Sequence, residues 1–104
     1  MDIKKSLGSS LKELRAKQII VFGNELLNYI DSLPLETFFQ EVIKTNLSDT
    51  IAISYPDNLK DECYMFKFNE ELQFYVESKI KEKYDLIFTP ISAGKYINQF
   101  DLSF

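Results

Sequence analysis

Five carboxylates, Asp57, Asp61, Glu62, Glu70 and Glu71, fall within one stretch of fifteen residues and form the densest set of reactive side chains in the chain. Paired carboxylates run general acid–base or glycosidic chemistry when they face each other across a pocket. The stretch lacks the alternating Asp/Asn and central glycine of a calcium loop. Acids this close in sequence ordinarily occupy a solvated loop and the first turn of the helix that follows. The five are therefore read as a surface that meets a protein partner with a basic face, where complementary charge speeds encounter. No residue is assigned a catalytic role, and the chain is read as a non-enzyme.

Histidine is absent from the 104 residues, which removes Ser-His-Asp and Cys-His catalysis and the commonest transition-metal ligand. The single cysteine, Cys63, gives one thiolate at most and no disulfide framework. It is read as a small buried hydrophobe, and no metal or cofactor is expected. "SAGKY", Ser92 to Tyr96, has the glycine and lysine of a phosphate loop. Thr89 stands where that loop needs its first glycine, and Tyr96 stands where it needs Ser or Thr. A turn at Gly94 accounts for it.

The basic side chains gather elsewhere. Residues 1–33 carry five basic and four acidic groups, whereas 34–104 carry seven basic and twelve acidic, within a net charge of −4. An acidic body repels phosphate backbones and disfavours general nucleic-acid binding. The stretch "SSLKELRAKQ", Ser9 to Gln18, resembles the opening helix of helix-turn-helix repressors over its ten residues. That resemblance implies a DNA-binding regulator with Lys12, Arg15 and Lys17 on phosphates, the alternative to a protein binder. The basic recognition helix of such a motif is replaced here by the apolar "IIVFG". Tyr64, Phe66 and Phe68, at spacing two, have the layout of a base-stacking sheet. Residues 57–77 hold six acids against Lys60 and Lys67 alone, so these rings are read as core.

Several elements must position these groups. Leu11, Leu14, Val21, Phe22, Leu26, Tyr29, Ile30 and Leu33 give a helical stripe, with Ser10 and Glu13 as a capping box that starts the helix near Leu11. Gly23 is its weak point, and the helix is read as continuous across it. Pro34 opens a second helix whose buried face is expected to be Leu35, Phe38, Phe39, Val42 and Ile43. "TIAISY" reads as a strand, "PDNLKDE" as a hairpin loop and "CYMFKF" as a second strand. Residues 70–84 fit a helix capped by Asn69, with Leu72, Tyr75, Val76, Ile80 and Tyr84 as its apolar row, although Leu72, Phe74 and Val76 also alternate and leave a strand open there. "DLIF" reads as a third strand and "ISAGK" as a turn. The run from Tyr96 reads as a fourth strand with Phe100, Leu102 and Phe104 on the core face. If that strand lies at the sheet edge, its free backbone offers a partner a second docking route.

The fold class is therefore α+β over residues 1–104 as one domain. Two helices precede a β-β-α-β-β unit, whose small, mostly antiparallel sheet is covered by helices on one face. No apolar run reaches signal-peptide or bilayer-spanning length, so a cytoplasmic protein away from the membrane is expected. The function expected is binding and inhibition or regulation of another protein, in the manner of an immunity protein, an antitoxin, or a phage or mobile-element inhibitor of a nuclease. A small scaffold or homodimer subunit is the third reading.

Overall fold

The computed structural model describes residues 3–90 and 98–104. A short 3-10 helix, Ile3–Ser6, leads into α1, Leu7–Ser32, and α2 follows at Leu35–Lys44. Strand β1, Thr50–Ser54, precedes a 3-10 turn at Asp57–Leu59, then α3, Cys63–Phe68, and α4, Glu70–Tyr84. Strands β2, Ile87–Pro90, and β3, Gln99–Ser103, complete the chain. The protein is mixed helix and strand, with a three-stranded antiparallel sheet ordered β1-β3-β2. Among the described residues no helix is long and apolar enough to cross a membrane.

Helix α1 is continuous across Gly23 and starts four residues before Leu11. Ser9 and Ser10 therefore lie inside it, and the capping box is not its start. Once a helix is nucleated, adding a turn costs little, and the chain runs from the 3-10 turn at Ile3–Ser6 directly into α1. Gly23 is buried because α1 and α4 cross closely there: a Cβ would run into the Tyr75 ring, whose hydroxyl donates to Asn24 Oδ1 at 2.6 Å. The glycine trades helix propensity for interhelical approach.

The segment "CYMFKF" is a helix, not the second strand, so the unit after β1 is two helices and two strands. Six residues are too few to separate a period of two from one of 3.6. Cys63 and Phe66, three apart, are buried together with Leu59 of the preceding turn. Tyr64 and Phe68, four apart, lie outside and stack on each other at 6.3 Å. The expected hairpin loop is accordingly a connection into α3, and no aromatic row stands on a sheet there. Asn69 caps α4 by accepting from Leu72 N–H at 2.9 Å, and Asp85 ends it in the left-handed conformation.

Strand β3 pairs on both sides, Phe100 opposite Ile53 and Pro90, Leu102 opposite Ile51 and Phe88. It is central, so the edge-pairing route through this strand is closed. Phe100 and Leu102 are buried, but Phe104 lies beyond the strand and is exposed. The expected turn at "ISAGK", and Tyr96 and Ile97, lie outside the described residues. One hydrophobic core joins Ile51, Ile53, Phe88, Phe100 and Leu102 of the sheet to Leu26, Leu27 and Ile30 of α1 and Leu72, Val76 and Ile80 of α4.

Two glycines in α1 separate close approach from helix propensity. Gly8 has no atom within 4 Å of a Cβ, so Gly8→Ala is expected to raise stability by up to about 1 kcal/mol. Gly23→Ala is expected to lower it by about 1–3 kcal/mol in spite of the same propensity gain, because Tyr75 must move. Urea melts of the two variants check the contrast, and equal effects would refute the account of Gly23.

Candidate functional site

The five acids occupy the starts of successive short elements. Asp57 opens the 3-10 turn, Asp61 and Glu62 precede α3, and Glu70 and Glu71 form the first turn of α4. A negative charge at a helix start meets the exposed N–H groups and the positive end of the helix dipole, which gives Glu70 and Glu71 a local role. Lys60 bonds Asp57 at 2.7 Å and holds its carboxyl below the ordinary carboxylate range. Arg15 reaches across from α1 to Glu71 at 2.8 Å. Two of the five thus have basic partners within the chain. No set of three or more His, Cys, Asp or Glu among the described residues is placed to hold a metal ion.

The three basic candidates lie on the exposed amino-terminal half of α1. Arg15 is held by Glu71, and Lys17 lies 3.5 Å from Glu13 one turn earlier. Cys63 is buried, and its thiol donates to Asn98 Oδ1 at 3.6 Å.

A concave surface lies elsewhere, and the reading of the sequence missed it. Helix α2 carries two rows of apolar side chains: Phe38 and Val42 are half-buried, whereas Leu35, Phe39 and Ile43 are 71%, 61% and 68% exposed. The expectation that all five are buried fails for the second row. Helix α2 lies against β1, where Phe38 and Val42 pack on the core, and the neighbouring row stays outside. That outer row forms one wall of a groove of about 800 Å³. Ile30 and Leu33 at the end of α1, Ile51 of β1, Leu86 and Phe104 line the rest, with Tyr84 and Asp31 as its polar groups.

The lining is apolar apart from those two. The Tyr84 hydroxyl donates to Asp31 Oδ1 at 3.1 Å and ties the end of α4 to the end of α1 across the rim. Burial, with the bond to Asp31 and its charge behind it, pushes the Tyr84 phenol up to about 12. Beyond the end of α2, Leu47 adds a further exposed apolar side chain, held in the left-handed region at φ 65° by an N–H bond to Val42 O of 2.8 Å. A leucine in that conformation is strained by about 1–2 kcal/mol. The sequence holds no separate signal for this surface: Leu35, Phe38, Phe39, Val42 and Ile43 follow the spacing of an ordinary core-facing helical stripe.

A groove of this shape, with an apolar floor and a single carboxylate–phenol pair on its rim, suits an apolar side-chain cluster accompanied by a cation or a hydrogen-bond donor.

Tyr84 gives the rim a titration signature. The unfolded chain releases a phenol proton near 10.0 and the folded protein near 12, so this contribution to stability is complete below pH 10 and falls as pH rises toward 12. Spectrophotometric titration of phenolate should show a late component that Tyr84→Phe removes. Asp31→Asn should move it part of the way back, burial being the larger cause, and no movement would refute the Asp31 contact. No family model, curated protein or solved structure matches this chain, so the groove's own chemistry alone bears on what it does.

Proposed function

We propose that this chain is a non-catalytic protein-binding domain whose docking surface is the groove beside α2. The observation that carries the reading is the outer row of α2, Leu35, Phe39 and Ile43, exposed along a concave apolar surface. Soluble domains rarely leave a contiguous apolar face of this kind uncovered unless something docks there. Buried aromatic and aliphatic anchors supply most of the energy of protein association, and Phe39 and Phe104 stand where such anchors are needed.

The acids act in this reading as steering groups. The body carries seven basic and twelve acidic side chains over residues 34–104, a field that draws in a partner with a basic face. Inhibition or regulation of such a partner, a nuclease for example, follows if the docked surface covers its working site. Of Asp57, Asp61, Glu62, Glu70 and Glu71, the last is held by Arg15 and the first by Lys60. Charge here sets the rate of encounter, and the groove sets the lifetime of the complex.

Affinity capture from the native host, with the groove and the acids altered separately, tests the division of labour. The pair Phe39→Glu and Ile43→Glu should lose the captured partner while leaving the far-ultraviolet circular dichroism and melting temperature unchanged, since both side chains are exposed. Neutralisation of the five acids to Asn and Gln should keep the partner and weaken the dependence of its binding on salt. Retention of the partner by the groove variant would overturn the assignment of the site.

A further inference from the structure

The groove is not the only unpartnered apolar surface. The amino-terminal half of α1 is exposed throughout residues 4–18. Leu7, Leu11 and Leu14 follow one another at spacings of four and three along it, with exposures of 47%, 53% and 54%. This is the i, i+4, i+7 pattern of anchors that an amphipathic helix inserts into a groove. The molecule is elongated to match, 63 × 29 × 20 Å, with a radius of gyration of 16.1 Å, against about 13 Å for a compact chain of 100 residues.

Charge distinguishes the two surfaces. Residues 3–17 carry Lys4, Lys5, Lys12, Arg15 and Lys17 against Glu13 alone. Among the described residues, the charged side chain that lines the groove is Asp31, and no basic one lines it. Length agrees as well. Leu7 to Leu14 spans about 10 Å of helix, and the exposed row from Leu35 to Ile43 spans about 12 Å.

The groove cannot be filled by the chain's own leucines. Asp31 and Leu33 at its rim close the same unbroken helix that carries them, and Leu11 lies about 30 Å from Asp31 along that rod. We propose that the groove of one copy takes the amino-terminal half of α1 from a second copy, so that the chain associates head to tail. The inference rests on the groove's being a docking surface and names its occupant in the isolated protein. Each copy offers one helix and one groove, a heterologous contact that extends into chains unless it closes into a ring.

Two single variants and their mixture test it by sedimentation velocity. The unaltered protein should grow in mass with concentration, and added salt should reverse part of that growth because the contact joins opposite charges. Leu11→Glu, which spoils the helix, and Phe39→Glu, which spoils the groove, should each be monomeric. Mixed in equal amounts they should form a dimer and stop there, since one intact helix meets one intact groove. A chain that stays monomeric at high concentration overturns the proposal, and so does a mixture that stays monomeric. Persistent association of Phe39→Glu alone would point to helix-to-helix pairing, and of Leu11→Glu alone to groove-to-groove pairing; either outcome overturns it. Leu14→Glu and Ile43→Glu form a second pair should a first variant fold poorly. A monomeric protein that still loses its host partner through the groove variant would refute only the occupant named here.

Discussion

Strand β3 is the element on which the remainder of the structure depends. It pairs with β1 along five residues and with β2 along four, so neither neighbouring strand is joined to the sheet except through it. Phe100 and Leu102 point from it into the core, where Phe100 lies 5.0 Å from Tyr55 and 5.5 Å from Phe88 between ring centres. Each buried side chain of this size contributes about 1.5–3 kcal/mol. Because β1 and β2 both run antiparallel to β3, they run parallel to each other, and the chain must cross over between them. Helices α3 and α4 make that crossing, and α4 carries Leu72, Val76 and Ile80 into the same core as the strands.

Much of this was legible in the sequence where a pattern was long enough to have one period. The part of the α1 stripe from Phe22 to Leu33, the cap and apolar row of α4, and the alternation of Ile51, Ile53, Phe100 and Leu102 are found where they are expected, whereas Leu11, Leu14 and Val21 of the same stripe are exposed. "CYMFKF" was not legible, because Phe66 satisfies both a strand face and a helix face, and the deciding residue, Leu59, lies in the turn before it. Sheet order was not legible either. Alternation says that a strand buries one face but not that it has neighbours on both sides, and the centrality of β3 comes from pairing across some fifty residues.

The candidate site shows a different limit. Periodicity in α2 correctly identifies an apolar side, but burial is a property of what stands opposite, and only the Phe38–Val42 row of α2 packs against the core. The acids drew attention because charges close in sequence look like a site. In three dimensions Asp57 and Glu71 have lysine and arginine partners, and Glu70 and Glu71 serve the start of α4. Sequence density marks these residues, whereas the groove draws on residues from Ile30 to Phe104 and has no local signature in the chain.

Helix α1 links the two ends of the molecule in a way that gives the exposed surfaces a common cause. Its second half must be apolar to meet α4 and the sheet, through Leu26, Leu27 and Ile30, and Gly23 marks where the close contact begins. Before Arg15, whose partner Glu71 lies in the first turn of α4, the helix has outrun that neighbour, and residues 4–18 are exposed. A rod that overhangs its own domain by several turns cannot be stabilised by tertiary packing there, and isolated helix of that length is marginal in water. The leucines at positions 7, 11 and 14 contribute nothing to the core of their own chain. In the head-to-tail contact proposed above they would meet the groove at the far end of the same helix, a surface of matching length lined by Asp31.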